Sequence, residues 1–575
     1  MSKVALLAIN AKHAHSSLAA WVLAAGIARY ARLPHDVRVV EATINQPCED
    51  IADRVAALMP DAVGISTYIW NARMLQEIML RLRERLPTAL FVLGGPEASH
   101  NAVYWLERGA DCVLCGEGEQ GLPALLDAAT KHARASDAQT RHGNAMAPRH
   151  AAMLEEAANA LHDVPNCELR APGLRTRPAP PAHSREVSES PVDPYCKAYF
   201  DALNGRIAYI ETSRGCPFRC AYCLSGGSGV RFFPVADAKE RIRRLAGSTA
   251  GTVKFVDRTF NCDRDRAYEL FEYVIGLDTP CRFHFEVAAD LFDGPTLALL
   301  GTAAPGRIQL ETGLQSYHGP ALQASSRQSD LEKAERSIRA LVGGRNIKIH
   351  VGLIAGLPYE TLDEFRIGFD RAYALGAHTL QLGFLKLLHG SALREKADAL
   401  ELRYDAEPPY EIAGSPWLGA DDLQTLKTAE NALQHTYNKG RFLSSLEYAL
   451  SASGMGSFSL FLMLGESAPN RGTPLDAYAE QVFACLAGLR GVDRDVLADR
   501  MVCDWLGMVK GKNMPPFLKN QDSRRRRVAK TAEERLGRVV GRQETTVLLA
   551  GMGVYVDSAS RDPVTNLYRL GFVDL

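Results

Sequence analysis

The sequence predicts an α/β fold in three parts: a doubly wound, Rossmann-like parallel sheet at the N-terminus, a second run of six strand–helix units, and a mostly helical C-terminal region. Three observations lead there. Short apolar runs alternate with amphipathic helical patterns over residues 1–130, the alternation fades into a Pro- and Ser-rich stretch, and it resumes near residue 207 around a loop holding three cysteines. Strand–helix alternation of this kind is the signature of buried parallel strands joined by crossover helices.

Composition sets outer limits. A chain of 575 residues is long enough for about three domains. Its net charge of −1 gives no reason to expect a nucleic-acid or membrane partner. The basic run Arg524–Arg527 reads as a solvated helix end or loop. No uninterrupted apolar run is long enough to span a bilayer. Twelve cysteines without regular pairing, behind an N-terminus (Met1-Ser-Lys-Val) that lacks a signal-peptide pattern, predict a reducing cytoplasm.

In the first domain, residues 1–130, strands are expected over Val4–Asn10, Asp36–Glu41, Ala62–Ser66, Ala89–Leu93 and Cys112–Cys115. Helices are expected over Ser17–Tyr30, Glu49–Leu58, Ala72–Leu86 and Ala102–Arg108. A doubly wound sheet binds ligands beyond the carboxyl ends of its strands, near the reversal in strand order. The segments at those ends are Ser66-Thr67-Tyr68, Gly94-Gly95-Pro96 and Gly116-Glu117-Gly118-Glu119. Their glycines let backbone approach a bulky ligand closely. Cys112 and Cys115 form a C-x-x-C, but residues three apart on a strand face opposite sides, so both are expected in the core.

Residues 131–194 read as a linker, broken most clearly at Ala179–His183 and Ser188–Pro191, with one helix over Arg149–Leu161.

The domain over residues 195–405 opens on Cys216-Pro-Phe-Arg-Cys220-Ala-Tyr222-Cys223. Three thiols this close can converge on one metal centre, and an odd number is unsuited to a disulfide set. A zinc knuckle or three unrelated core cysteines are the alternatives. Structural zinc normally takes four protein ligands, and no cysteine or histidine lies within the ten residues after Cys223. The C-x3-C-x2-C spacing, with Tyr222 before the third cysteine, resembles the radical S-adenosylmethionine (SAM) superfamily. The resemblance implies a 4Fe-4S cluster on Cys216, Cys220 and Cys223. SAM would occupy the fourth iron and be cleaved to a 5'-deoxyadenosyl radical by an electron from the cluster. It also implies a partial (β/α)6 barrel, with strands expected over Ile207–Glu211, Val253–Asp257, Arg282–Val287, Ile308–Leu314, Lys348–Leu353 and Thr379–Phe384.

Placed ahead of such a loop, the first domain resembles the cobalamin-binding domain of cobalamin-dependent radical SAM enzymes. Cobalamin contacts are therefore expected at Ser66, Thr67, Tyr68, Gly94, Gly95, Pro96, Gly116, Glu117, Gly118 and Glu119. Relatives that ligate cobalt through histidine carry D-x-H-x-x-G after the first strand. The corresponding Asn10-Ala-Lys-His13-Ala-His15 does not fit, so no histidine ligand is expected.

Polar residues within the apolar barrel strands need partners, which a ligand or a neighbouring strand can supply. By resemblance, SAM contacts fall on Tyr222, Asp257, Glu286, Glu311, Gln315 and Gly356. Gly313 between Glu311 and Gln315 is expected to leave room for SAM. The segment Gly352–Thr361 resembles the family's G-x-I-x-G-x-x-E motif with the acidic residue displaced by one, so Glu360 serves either as a contact or in helix capping. Lys386 and His389 face substrate or solvent.

Residues 406–575, mostly helical in pattern, resemble the C-terminal domain of unknown function found on one subgroup of these proteins. The expected activity is radical modification of an unactivated carbon, in the first place by methyl transfer from cobalamin. Rearrangement or cyclisation with the same cofactors is the second reading, and an electron-transfer or cobalamin-carrying protein the third. The expected partners are a small-molecule or peptide substrate and an external electron donor of flavodoxin or ferredoxin type.

Overall fold

The computed structural model describes residues 1–139, 149–161, 164, 167–173, 192–227, 229–468, 472–520 and 522–575. The chain forms two compact units, one of residues 1–286, 386–399 and 404–412, the other of residues 287–385, 400–403 and 413–575.

The first unit opens with β1 (Ser2–Asn10), β2 (His35–Thr43), β3 (Ala62–Ser66), β4 (Leu90–Gly94) and β5 (Cys112–Gly116), all parallel in the order β2-β1-β3-β4-β5. Strand order reverses between β1 and β3, which opens a crevice at their carboxyl ends. Alternate residues of β1 feed opposite faces. Val4, Leu6 and Ala8 pack with Leu122, Leu125 and Cys112, and Ala5, Leu7 and Ile9 pack with Leu75, Trp105 and Cys115. The C-x-x-C is thus split between two cores, as its spacing on a strand requires. Ser17 caps the helix Leu18–Tyr30 by accepting from the Ala20 amide.

The expected linker holds more structure than its composition suggests. Beside the expected helix, which covers Arg149–Ala160, the helix that begins at Gly118 runs to Gln139 and β6 (Cys167–Arg170) pairs antiparallel with β5. Cys167 and Leu169 are buried, a period of two over four residues that is too short to stand out among flanking Pro and Ser. The Pro-rich breaks at 179–183 and 188–191 lie outside the described residues.

The unit continues with β7 (Ala208–Ile210), β8 (Ser213–Cys216), β9 (Gly229–Phe232), β10 (Thr252–Phe255) and β11 (Arg282–Val287). β7, β10 and β11 are parallel neighbours, while β8 and β9 form an antiparallel hairpin around the cysteine loop. Glu41 of β2 joins the sheet domain to this part. It accepts from Asn10 Nδ2 at 2.9 Å, the Ser17 amide at 2.9 Å, Trp21 Nε1 at 3.0 Å and Arg206 at 2.8 and 3.1 Å.

In the second unit, β12 (Ile308–Gln315), β13 (Lys348–Ala355) and β14 (Thr379–Phe384) are parallel neighbours, so each unit contributes three of the six expected strands. Helix Leu362–Tyr373 starts in a capping box of Thr361 and Glu364. The C-terminal part is mainly helical from Ala420 to Leu536 and then adds a three-stranded antiparallel sheet, Thr545–Val547, Gly553–Arg561 and Tyr568–Val573. The helical reading omitted this sheet, although its β-branched and aromatic residues suit strands. Among the described residues no single helix is long and apolar enough to cross a membrane.

Arg206 and Glu41 have side-chain exposures of only 14% and 10%, and removing one member of a buried pair leaves the other charge short of a partner. Arg206→Met is expected to destabilise the chain by about 3 kcal/mol, read as an earlier thermal unfolding midpoint. An unchanged midpoint would show that Glu41 needs no cation.

Candidate functional site

The cysteine loop is shaped by its backbone. Gly215 (φ +98°) lies in β8 just before Cys216 and Gly227 (φ +85°) turns the chain back, conformations that a residue with a Cβ rarely adopts. The Gly227 amide donates to Phe218 O at 3.1 Å and the Cys223 amide to Cys220 O at 3.0 Å. None of the three cysteines is in a disulfide: Cys220 is buried, Cys216 half-buried beside Thr259 Oγ1 at 3.4 Å, and Cys223 exposed. Among the described residues no three His, Cys, Asp or Glu side chains converge as a single metal ion requires. A cubane asks for something else, because each thiolate takes its own iron. Three thiols spread through one short loop fit that demand. Burial, and next the charge of Cys216, push the Cys262 thiol up to about 11, so this nearby fourth cysteine remains protonated at neutral pH.

Tyr222 is half-buried in the turn before Cys223. Asp257 follows β10 and is 2% exposed. Its carboxylate accepts from the Thr212 amide at 3.0 Å, Thr212 Oγ1 at 2.6 Å and Ser213 Oγ at 2.6 Å. Both oxygens are engaged, so Asp257 braces the approach to β8 and presents no bare carboxylate, although burial pushes its pKa up.

A cavity of about 710 Å³ opens at the carboxyl ends of β1, β3, β4 and β5, within the size range of small-molecule and cofactor sites. Of the expected cobalamin contacts, Ser66, Tyr68, Gly94, Gly95, Gly116, Glu117, Gly118 and Glu119 line it, and Thr67 and Pro96 do not. Thr67 is fully buried and bonds to Gly94 O at 2.6 Å through its hydroxyl, while Pro96 opens the short helix Pro96–His100. A Cβ on Gly95 (φ +98°) would stand 2.6 Å from Thr67 O, so bare backbone is obligatory there. Tyr68 stacks on Trp70 with ring centroids 4.2 Å apart, and an apolar wall of Ile9, Val22, Leu23, Val92 and Leu122 runs behind. Bare backbone beside a broad apolar wall suits a large, flat, mostly apolar ligand.

Of the opposite wall, only Glu286 was expected from sequence as a site residue, and then on SAM. It consists of Tyr209, Glu211, Arg214, Lys254, Arg258 and Glu286 from the strands around the cysteine loop. Glu286, expected on SAM, lies 3.3 Å from Lys254 Nζ. His15 lines the cavity with Nδ1 bonded to the Tyr209 hydroxyl, and His13 does not line it. Burial pushes the His15 pKa down and the Tyr209 phenol up to about 12, so both are neutral. Arg258 makes no hydrogen bond or ion pair among the described residues. Glu117 and Glu119 do not face a ligand as free carboxylates, because Arg214 Nη1 binds them at 2.7 and 2.5 Å. The signal that could have found this wall is the inward-facing polar residue on each of β7, β10 and β11, here Tyr209, Lys254 and Glu286.

The remaining expected residues belong to the second unit. Glu311 and Gln315 share the half-buried face of β12 with Gly313. The space over Gly313 is filled by the Gln315 amide, which a Cβ on Gly313 would strike. The register slips between Gly313 and Gln315, where Gln315 has φ +71°, so the glycine does not leave the vacancy expected from alternation alone. Gly356 (φ +92°) turns the chain after β13. Glu360 caps no helix. It is 1% exposed and takes a hydrogen bond from Ser316 Oγ. In the first unit, His389 packs edge-on against Tyr410 at 5.0 Å, and burial, then Arg394, push its pKa down to about 4.

Comparison with known proteins matches residues 4–126 to the B12 binding domain, residues 210–369 to the radical SAM superfamily and residues 398–541 to DUF4080, a protein family of unknown function. The cobalamin-dependent radical SAM methyltransferase TokK of Streptomyces tokunonensis is 26% identical over 400 residues, 64% of this chain and 53% of that protein. The anaerobic magnesium-protoporphyrin IX monomethyl ester cyclase of Rubrivivax gelatinosus is 24% identical over 342 residues, 57% of each chain. The chain thus spans about half the length of the curated relatives it matches. The structure of the cobalamin-dependent SAM radical enzyme OxsB with aqua-cobalamin and SAM bound superposes with a TM-score of 0.55 at 13% identity, over 87% of this chain and 78% of that one, and it shares the fold. The matched families are named for B12 and for SAM.

Burial, the largest cause, and the Glu364 charge push the Glu360 pKa up to about 7, against the opposing Ser316 bond. The folded chain then keeps a proton that the unfolded chain releases near 4.5. Stability present in full below the unfolded value is lost as pH rises through about 7. Glu360→Gln is expected to flatten this decline and to be the more stable form at pH 8, by up to about 3 kcal/mol. Parallel pH profiles of the unfolding midpoint for the two proteins would contradict it.

Proposed function

We propose that this chain, a member of the radical SAM superfamily with a B12 binding domain ahead of its core, methylates an unactivated carbon of a small-molecule or peptide substrate. One observation carries the reading: the cavity of the cobalamin domain and the cysteine loop belong to one compact unit, and residues of the core strands form the cavity's second wall. When bound, the cluster supplies the electron that cleaves SAM and cobalamin supplies the methyl group.

The chain's own residues hold, orient and shield. Cys216, Cys220 and Cys223 ligate the cluster. Gly94, Gly95, Gly116 and Gly118 set backbone against the corrin, with Ser66 and Tyr68 beside it. The Lys254–Glu286 and His15–Tyr209 pairs satisfy one another, which keeps their polar atoms from drawing water into the cavity. Tyr222 of the cysteine loop contacts SAM, and Asp257 contributes by bracing the loop. Electrons come from a flavodoxin- or ferredoxin-type donor in the cytoplasm, and no nucleic-acid partner is needed.

Similarity to the cyclase, nearly as extensive as that to the methyltransferase, favours rearrangement or cyclisation as the second reading. The products formed by the anaerobically reconstituted full chain with SAM and reductant separate the two. S-adenosylhomocysteine together with 5'-deoxyadenosine supports methylation, 5'-deoxyadenosine alone supports rearrangement, and neither product rejects both.

Cys216→Ala, Cys220→Ala and Cys223→Ala are each expected to abolish the broad visible absorption of the reconstituted cluster. Cys112→Ala and Cys115→Ala should retain it, since burial holds both thiols protonated in the two cores. A cluster of normal intensity in Cys220→Ala would refute the assignment.

A further inference from the structure

We propose that Arg214 is a positioning residue through which the loop of residues 116–119 in the cobalamin domain and the cysteine loop are coupled. The inference rests on the cobalamin site proposed above. Arg214 lies on β8, two residues before Cys216. Its guanidinium is shared by three carboxylates, Glu211 at 2.9 Å, Glu117 at 2.7 Å and Glu119 at 2.5 Å. Glu117 also binds Arg231 of β9, the partner strand of β8 across from Arg214. Both strands that flank the cysteine loop are therefore gripped by the segment that follows β5.

The gripping segment is also a wall of the cavity. Gly116, Glu117, Gly118 and Glu119 line it together with Glu211 and Arg214. The carboxylates are turned to the guanidinium, so a ligand in the cavity meets the backbone of this segment. The segment has little freedom to yield elsewhere: helix Leu18–Tyr30 presses Gly26 against Glu119 O so closely that a Cβ would stand 2.2 Å away. A ligand that orders or shifts residues 116–119 thus acts on β8 through the ion pairs. A planar guanidinium directs its five donors to the three carboxylates in a fixed fork, which a lysine ammonium, a compact charge with three donors, does not reproduce in the same geometry.

Coupling between two binding sites is reciprocal, so the cluster must alter cobalamin affinity by the factor by which cobalamin alters cluster binding. A merely structural ion pair would lower stability without creating this dependence. The test is the Kd of the full chain for hydroxocobalamin, measured with the cluster reconstituted and in the cluster-free form. For the unaltered chain the two values are expected to differ about fivefold or more. In the double variant Glu117→Gln/Glu119→Gln, which leaves Arg214 its Glu211 partner, the ratio should fall towards unity while hydroxocobalamin still binds. Arg214→Lys keeps the charge and should lower the ratio as well, and it decides the matter if the double variant does not fold. A ratio of one in the unaltered chain, or an unchanged ratio in a folded variant, overturns the coupling alone. Failure of every form to bind hydroxocobalamin overturns the cobalamin site, and the coupling with it.

Discussion

A single guanidinium shared among three carboxylates organises the working end of the first unit. Removing four charged groups from water is costly, and the arrangement persists because each finds charge-assisted hydrogen bonds in good geometry. Arg214 consequently decides what its neighbours can do. Glu117 and Glu119 are committed to it, so the segment after β5 offers a ligand its backbone and not its charge. Burial pushes the Glu211 pKa up, and the adjacent Arg214 opposes this. β8, which delivers Cys216, is anchored to a different sheet from the strands it accompanies in the chain.

The same division between committed side chains and exposed backbone recurs around the site. Asp257 spends both oxygens on Thr212 and Ser213. Thr67 is consumed by the Gly94–Ala98 turn. What faces the cavity is the bare backbone of Gly95 and Gly116, the stacked pair Tyr68 and Trp70, and a wall whose charges are largely neutralised in pairs. Such a surface holds a large ligand by contact area and shape, and buried polar groups remain satisfied whether or not the ligand is present.

Much of this was legible from residue patterns. The five parallel strands of the first sheet announced themselves as short apolar runs between amphipathic helices, and the cysteine spacing named its chemistry without any tertiary information. Most of the glycine-rich strand ends proved to line the cavity, because position at the carboxyl end of a parallel strand is a property of topology that alternation already implies. β6 was not legible, since four residues with two apolar positions cannot be told from linker. The vacancy expected above Gly313 was wrong for a local reason. A left-handed Gln315 breaks the alternation of β12 and folds its own amide into the gap.

By itself the sequence determined the order of domains, the face on which each core residue lies and the identity of the three loop thiols, because these depend on periodicity and spacing along the chain. Tertiary structure decided which carboxylates are free. Glu117 and Arg214 stand 97 positions apart, and Glu41 and Arg206 165 apart, and no local pattern records such a pairing. Whether a glutamate is a ligand contact or half of an ion pair depends on the charge that folding brings within about 3 Å of it, and that is settled only when the strands are assembled.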